Sequence, residues 1–301
     1  MLRIENIVKQ YANHRALDNV SLTVEKGTIF GLLGPNGAGK TSLIRIINQI
    51  TAPDEGAIFI NGEKLKPSHI SKIGYLPEER GLYKKMEIAE QMFYLARLKG
   101  LTKQQATERC KYWFAKMDME NWWKKKVEDL SKGMQQKVQF VATVIHEPEL
   151  IILDEPFSGF DPINAEIIKD EILELNKKGT TIIFSTHRME SVEQLCDSIA
   201  LLNKSKKVLD GRLKDIKNSY RTNSYYIEYI GEEIIPNASS PFEILSTEQL
   251  ENTRQITIQL PPGAKVNDAL HYLMPMAEIQ QLKEVIPSIN EIFIQQVKEI
   301  N

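Results

Sequence analysis

A glycine-rich segment between two apolar runs constrains the fold of this chain most strongly. Residues 34–41 read GPNGAGKT, with TIFGLL before them and SLIRII after them. The first run is typical of a buried strand, and the second has the apolar spacing of an amphipathic helix. A strand, a glycine loop and a helix in this order allow backbone N–H groups and the helix N-terminus to converge on a phosphate chain. The segment therefore predicts a phosphate loop in an α/β domain.

The residue types in this loop suit phosphate binding. Glycines allow close backbone approach, Lys40 supplies positive charge to the β- and γ-phosphates, and the Thr41 hydroxyl can bind Mg²⁺. The predicted phosphate-binding residues are Gly34, Pro35, Asn36, Gly37, Ala38, Gly39, Lys40, Thr41 and Ser42. A glycine-rich turn with a merely solvated lysine is the alternative, and the flanking strand and helix favour phosphate binding.

A second motif, LIILDEP at 150–156, carries two carboxylates. Its four apolar residues predict a buried parallel strand, so Asp154 is expected at the strand's carboxyl end, where α/β sheets bind ligands. An aspartate there can hold Mg²⁺, and Glu155 can orient or deprotonate a water. An Asp-Glu pair after a strand also commonly caps a helix. This motif alone leaves both interpretations open.

The remaining pattern predicts two domains. Apolar strands alternate with helical stretches over the first two-thirds of the chain, which is typical of an α/β fold, and a helical subdomain is expected at about 84–148. A polar, basic connector at 211–224 separates domain 1–215 from domain 216–301. In the latter, an alternating segment at 256–260, a short helix at 266–274 and a capping box of Ser288 and Glu291 predict a small α+β domain.

Composition excludes several other classes of protein. The formal net charge of −2 gives no general attraction to nucleic acid, and the lysines at 124–126 beside Trp122 and Trp123 indicate a solvated basic face. Two isolated cysteines are too few for a disulfide framework. The N-terminus lacks the pattern of a signal peptide, and no apolar run approaches the ~18 residues of a membrane span. We expect a cytoplasmic chain.

Five motifs in one order resemble the ATPase subunit of an ATP-binding cassette (ABC) transporter. They are GPNGAGKT, LSKGM at 130–134, LIILDEP, SGFDP at 158–162 and STH at 185–187. The resemblance covers about residues 1–215 and implies a P-loop NTPase that uses ATP and Mg²⁺. It further implies two partners, a second copy of the chain and a separate transmembrane permease subunit, so that the protein would lie peripherally on the inner face of the cell membrane. No nucleic-acid partner is expected.

The resemblance also assigns roles to residues outside the loop. Ser131 and Gly133 of LSKGM, here called the signature segment, match residues that bind the γ-phosphate of ATP held by the partner copy. His187 matches the histidine that contacts the γ-phosphate and the attacking water, although a lone histidine is more often structural. Asp161 matches the loop that communicates between the two sites. Tyr11 matches an aromatic residue that stacks on adenine; without the family it would be a surface tyrosine.

The sequence departs from the family pattern in two places. Lys132 and Met134 replace a glycine and a glutamine of the signature, while the phosphate-contacting positions are kept, so we expect a working site with altered dimer affinity. Glu78, in IGYLPEERGLY at 73–83, replaces a glutamine that touches Mg²⁺ and senses the transport partner. Its carboxylate can ligate Mg²⁺ more strongly but brings negative charge towards the triphosphate. We expect increased Mg²⁺ dependence; a solvated glutamate is the alternative.

Two functions are consistent with these motifs. One cassette followed by a C-terminal accessory domain resembles the ATPase subunits of bacterial exporters for sodium ions or antibiotics, with Arg80–Tyr83 and Met86 in the docking surface for the permease. The alternative is a soluble ABC ATPase that remodels ribosomes or nucleic acid. Such relatives typically carry two cassettes or a basic extension, whereas this chain has one cassette and a mildly acidic balance. The exporter subunit is therefore the preferred prediction.

Overall fold

The computed structural model describes residues 1–79, 81–237 and 239–300, without the side chains of 297, 299 and 300. The chain divides into two compact units, Met1–Leu213 and Lys214–Asn301. Arg80, which the sequence assigned to the docking surface, lies outside the described residues. In the described part of the chain, every helix is too short or too polar to cross a membrane.

The first unit contains two sheets. The strands are β1 (Leu2–Tyr11), β2 (His14–Val24), β3 (Ile29–Leu33), β4 (Glu55–Ile60), β5 (Glu63–Lys64), β6 (Ile73–Leu76), β7 (Leu150–Asp154), β8 (Thr181–Thr186), β9 (Ser198–Asn203) and β10 (Lys206–Arg212). One sheet has the order β2-β1-β4-β5 and is antiparallel; the other has the order β10-β9-β3-β8-β7-β6 and is parallel except for β10.

Helix α1 (Lys40–Ile47) joins the cores of these two sheets. Its residues Leu43, Ile44, Ile46 and Ile47 are buried in one apolar cluster with side chains from β1, β2 and β4 and from β3, β7 and β9. Every residue of β3 and β7 is buried, as expected for parallel strands covered on both faces. The predicted α/β fold is confirmed. The unpredicted strands β5 and β10 are short or largely exposed and carry little apolar signal.

The predicted helical insertion is also confirmed. It contains α2 (Ile88–Leu98), α3 (Lys103–Lys116) and α4 (Lys132–Val144). Thr102 and Gln105 form a capping box at the start of α3. The rings of Phe114 and Trp123 pack edge to face with centroids 4.7 Å apart, so Trp123 anchors the segment before α4. Helices α5 (Pro162–Lys177) and α6 (Met189–Leu195) lie outside this insertion and follow β7 and β8 in the chain.

The second unit is a small α+β domain. Its sheet has the order β12-β13-β11-β14 and consists of β11 (Ser224–Gly231), β12 (Glu243–Gln249), β13 (Arg254–Gln259) and β14 (Ala277–Val285), all paired antiparallel. Helices α8 (Val266–Leu273) and α9 (Ile289–Ile300) lie where the sequence predicted helices. The capping box is confirmed, because the Ser288 N–H donates to Glu291 at 2.7 Å and the Glu291 N–H donates to Ser288 Oγ at 3.2 Å.

The polar connector predicted at 211–224 is wrong in part. Leu213–Ser219 form helix α7, and β10 extends to Arg212. The buried residue that α7 contributes is Ile216, which is too little apolar surface to produce a helical period in the sequence.

Candidate active site

Four neighbouring parallel strands bring the predicted residues to one edge of the six-stranded sheet. The phosphate loop (34–41) follows β3, His187 follows β8, Asp154 ends β7 with Glu155 next to it, and Glu78 follows β6. Because β3, β8, β7 and β6 are adjacent in this order, their carboxyl ends lie side by side. Ligands of open α/β sheets bind at this edge.

These residues share a cavity of about 340 Å³. It is lined by Tyr11, His14, Ala16, Asn36, Gly37, Ala38, Gly39, Lys40, Thr41, Ser42, Glu78, Asp154, Glu155 and His187. The volume is within the range of small-molecule sites. The sequence missed His14 and Ala16, because only their position in the fold after Tyr11 brings them to the loop. Within the described residues, the lining does not include the predicted residues Gly34, Pro35, Ser131, Gly133 or Asp161.

The loop backbone requires glycine where it turns into α1. Gly39 has φ 108°, in the left-handed region that favours glycine, and a Cβ there would collide with the carbonyl oxygen of Ala16. Helix α1 begins at the next residue, so its free N–H groups face the cavity from the loop side. The loop therefore has the backbone features that bind anions.

Lys40 is held in place by the loop that carries it. Its side chain is only 7% exposed, and Nζ donates to the carbonyls of Gly34 at 2.6 Å and Pro35 at 3.1 Å. Gly34 and Pro35 thus do not line the cavity but hold the lysine that does. Burial lowers the pKa of Lys40, and the carboxylates of Glu155, Asp154 and Glu78 oppose that shift. The result is a desolvated ammonium group beside three carboxylates, so the site would attract a phosphate chain only together with a cation that offsets the carboxylate charge.

Asp154 is the most buried acid of the cavity, at 3% exposure. Ser185 Oγ on the neighbouring strand donates to its Oδ1 at 2.8 Å. Burial raises the pKa of Asp154; the Ser185 hydrogen bond lowers it, and the nearby charges of Glu78 and Glu155 raise it further. A bound cation would offset this accumulation of negative charge.

The oxygen donors in the cavity suit Mg²⁺. Thr41, Asp154 and Glu78 all line it, and hydroxyl and carboxylate oxygens are the ligands that this ion prefers. Among the residues with described positions, no three His, Cys, Asp or Glu side chains are grouped closely enough to hold a metal by themselves. The donor set therefore fits an ion that also takes phosphate oxygens and water as ligands, which is the usual mode for Mg²⁺.

Glu155 is fixed by three hydrogen bonds. Thr186 Oγ1 donates to Oε2 at 2.9 Å, the His187 N–H donates to Oε1 at 2.8 Å, and His187 Nδ1 lies 2.6 Å from the same oxygen. The Glu155 backbone is left-handed, with φ 49°, which is uncommon outside glycine. The His187 side chain is 52% exposed, and that of Glu155 only 10%. The carboxylate is thus oriented at the cavity wall, with the histidine on its open side.

Tyr11 lies at the mouth of the cavity. The residue is 37% exposed, and Lys9 Nζ lies 5.4 Å from its ring centroid. A partly exposed ring at the end of β1 offers a flat surface on which a base can stack.

The signature segment lies apart from this cavity. Ser131 is exposed and caps α4, since its Oγ accepts from the Met134 N–H at 3.3 Å. Asp161 likewise caps α5 by accepting from the Asn164 N–H at 3.0 Å. A Cβ built on Gly133 would lie 3.8 Å from the Asp161 carboxylate. The fold therefore brings Ser131, Gly133 and Asp161 into a second group of predicted residues, separate from Lys40.

Comparison with known families covers both units. Residues 17–158 match the family described as ABC transporter, and residues 211–297 match the family described as ATP-binding protein DrrA1-3-like, C-terminal domain.

Two relatives and one solved structure illustrate the similarity. The uncharacterized ABC transporter ATP-binding protein YhaQ of Bacillus subtilis (strain 168) is 39% identical over 297 residues, which cover 99% of this chain and 98% of the relative. Nod factor export ATP-binding protein I of Cupriavidus metallidurans is 31% identical over 239 residues, or 78% of each chain. A solved ATP-binding subunit of an ABC transporter superposes with a TM-score of 0.69 at 31% identity, covering 73% of this chain and 93% of the other.

Proposed function

The chain belongs to the family of ABC transporter ATP-binding subunits, and from this premise we propose that it is the ATPase subunit of a membrane exporter that works as a pair of copies. The observation that carries the proposal is the convergence of Lys40, Asp154, Glu155 and His187 on one cavity at the carboxyl edge of the sheet. That cavity combines a phosphate loop, a cation site and a base, which are the parts needed for hydrolysis of ATP.

Each ATP site is proposed to form between two copies. In one copy, the cavity would hold the nucleotide, with Tyr11 against the base and residues 34–42 around the phosphates. The other copy would supply Ser131 and Gly133 to the γ-phosphate. The support is that Ser131 is exposed at the N-terminus of α4, an anion-binding element, and that neither Ser131 nor Gly133 is among the described residues that line the cavity of its own copy. Two copies related by a two-fold axis would form two equal sites.

The chemistry proposed for this site is mainly positioning and charge stabilisation. Lys40 neutralises the β- and γ-phosphates, and Ser131 of the partner copy donates to the γ-phosphate. Glu155 accepts a proton from the attacking water, and His187 orients that water and the γ-phosphate. When bound through Thr41, Asp154 and Glu78, Mg²⁺ would supply further charge stabilisation at the phosphate oxygens. Asp161, next to Gly133, would connect the two sites.

Glu78 is proposed to contact the metal while it senses the transport partner. It lines the cavity, and its charge contributes to the pKa shifts of both Lys40 and Asp154. Glu78→Gln is expected to change how the hydrolysis rate depends on Mg²⁺. The Mg²⁺ concentration that gives the half-maximal rate should rise, because a neutral oxygen binds Mg²⁺ less strongly than a carboxylate. A titration of ATPase rate against Mg²⁺ measures this. An unchanged rate and metal dependence would exclude the metal contact.

The membrane side of the proposal rests on the relatives. Residues 1–215 would form the ATP-binding domain and residues 216–301 an accessory domain for dimerisation or regulation. The chain would bind a separate transmembrane permease on the inner face of the membrane through the start of the helical insertion. There, Tyr83 is exposed and its ring contacts that of Tyr94, with centroids 6.3 Å apart, while the half-exposed Met86 lies on the same segment. Export rather than import is supported by the relative named for Nod factor export.

Co-sedimentation tests this proposal against the soluble alternative. The full chain is expressed with and without a multi-span membrane protein encoded beside its gene, and membranes and ribosomes are then separated. The proposal predicts membrane association that requires the neighbour, and ATP-driven efflux from vesicles that contain both. Association with ribosomes, and none with membranes, would instead support a remodelling ATPase.

A further inference from the structure

The strand that leads to Glu78 has one edge that no strand covers in the described part of the chain. Strand β6 lies at the end of the six-stranded sheet, next to β7. The carbonyl of Lys72, just before β6, accepts from the Glu149 N–H on the β7 side. Since carbonyl direction alternates along a strand, the carbonyls of residues 73, 75 and 77 point the other way. Such an edge needs donors from elsewhere.

Helix α4 supplies these donors through its side chains. Three residues at helical spacing, on α4 and the turn after it, reach the outward carbonyls in antiparallel order: Gln139 reaches Pro77, Thr143 reaches Tyr75 and His146 reaches Ile73. The three distances, in that order, are 3.3, 3.4 and 3.2 Å. Gly74 permits this approach, because a Cβ there would collide with the carbonyl oxygen of Thr143.

Gln139 differs from the other two donors because its amide group bonds on both sides of Glu78. Its Nε2 donates to the carbonyl of Pro77 and to that of Glu79, each at 3.3 Å. Gln139 is 6% exposed and both hydrogen bonds are partly buried, so loss of this amide would remove the donor that the two carbonyls share. The Thr143 hydroxyl, in contrast, is also bonded within its own helix, at 2.9 Å from the Gln139 carbonyl.

The helix that carries Gln139 begins with the signature segment. Ser131 caps α4 two turns before Gln139, and an α-helix transmits displacement along its axis as a rigid element. The position of segment 77–79 in one copy is thus tied to the element that would contact the partner copy's nucleotide.

We propose that Gln139 is a positioning residue that holds Glu78 against the cavity and ties it to the signature helix. This inference rests on the proposed function, in which Glu78 contacts Mg²⁺ and Ser131 contacts the other copy's ATP. It adds a specific physical link between them: movement of segment 77–79 by the permease would be passed to α4 through one buried amide.

Isosteric substitution tests the link. Gln139→Met keeps the unbranched shape of the side chain and removes the donor. The control, Thr143→Val, removes a hydrogen bond from the same face of α4, but that bond goes to the Tyr75 carbonyl and not to segment 77–79. Both are made in the full chain carrying Glu155→Gln, so that hydrolysis of ATP is slow during the measurement. Calorimetry then measures ATP affinity with Mg²⁺ and with a chelator. Gln139→Met is expected to lower the ratio of the ATP affinity with Mg²⁺ to the ATP affinity with the chelator about 3- to 30-fold. Thr143→Val is expected to change it less than about twofold.

A double-variant cycle identifies the route of this effect. In a Glu78→Gln background, Gln139→Met is expected to change the ratio no further, because Gln139 acts through Glu78. The inference is overturned if the two changes are additive, whatever Glu78→Gln does alone. It is also overturned if Gln139→Met matches Thr143→Val.

A second apolar variant separates loss of the donor from a packing effect. Gln139→Leu also removes the donor but has a different shape from methionine, so it is expected to lower the ratio about as far as Gln139→Met. A ratio equal to that of the parent would contradict the role of the amide donor. Failure of the proposed function would appear elsewhere, as full-rate hydrolysis by Glu155→Gln or normal ATP binding by Lys40→Ala, and neither outcome depends on Gln139.

Discussion

The phosphate-loop side and the signature side of the first unit are constructed in opposite ways. Lys40 is 7% exposed, is held by two carbonyls of its own loop and faces three carboxylates across a cavity. Ser131 is exposed, and its hydroxyl accepts a hydrogen bond from the first turn of α4. In the proposed function, the first side would hold the phosphate chain, and its lysine is already fixed in place. The second side would add contacts to a nucleotide that the other copy holds.

The largest effect is expected from a substitution in the phosphate loop. Lys40→Ala removes the ammonium from a desolvated site, where charge stabilisation is strongest, so kcat/KM for ATP should fall about 10³-fold. Phosphate release and binding of a fluorescent ATP analogue measure this loss. Lys103→Ala, at an exposed lysine that begins α3, is the control and should leave both unchanged. Hydrolysis near the normal rate without Lys40 would contradict the assignment of the loop.

A slightly smaller effect separates binding from chemistry. Glu155→Gln keeps the shape of the side chain but cannot accept the proton of water, so kcat should fall about 10²- to 10³-fold while ATP binding remains. Size-exclusion chromatography with ATP should then show a trapped pair of copies. The exposed Glu190 provides the control as Glu190→Gln. Undiminished steady-state hydrolysis by Glu155→Gln would refute the role of the base.

A third prediction concerns the signature side, through the turn after α4. The pKa of His146 is lowered to about 4. Burial and the charge of Lys99 lower it, and the hydrogen bond to the Ile73 carbonyl partly opposes them. Because the unfolded chain binds this proton more readily, the stabilising effect of neutral His146 is complete above the unfolded pKa near 6.5 and decreases as pH falls towards 4. The loss should reach up to about 3 kcal/mol.

Urea unfolding between pH 4 and pH 7 measures the contribution of His146 to the free energy of unfolding. The free energy of unfolding of the unchanged chain should fall with acid more steeply than that of His146→Gln, which keeps an amide donor for the Ile73 carbonyl. His271→Gln, at an exposed histidine of the second unit, is the control. Parallel curves for the unchanged chain and His146→Gln would show that His146 does not contribute to acid sensitivity.

The same two sides differ in how far the sequence predicted them. The phosphate loop could be found because glycine, lysine and threonine at fixed spacing are required by backbone geometry and charge. Asp154 could be placed at the carboxyl edge because it follows a buried parallel strand, whereas Glu78 was assigned from the family resemblance. The family resemblance identified Ser131, but not that its hydroxyl caps its own helix or that Gly133 lies beside Asp161.

Contacts that depend on tertiary placement gave no sequence signal. Gln139 is one of several polar residues in α4, and only the pairing of α4 with the free edge of β6 shows why it is buried. His14 reaches the cavity because β1 and β2 turn back beside the loop. Helix α7 was missed because one buried residue, Ile216, does not produce a periodic pattern.

Mixing two inactive variants tests most directly whether one site needs both copies. Lys40→Ala disables the phosphate-loop side, and Ser131→Asp keeps a good helix cap while it places a negative charge where the γ-phosphate would lie. Neither variant alone should hydrolyse ATP. A mixed pair, however, contains one site with an intact Lys40 and an intact Ser131 from different copies. An equimolar mixture should therefore regain about a quarter of the normal ATPase rate, since half of the pairs are mixed and each has one working site. A mixture as inactive as its components would contradict the composite site.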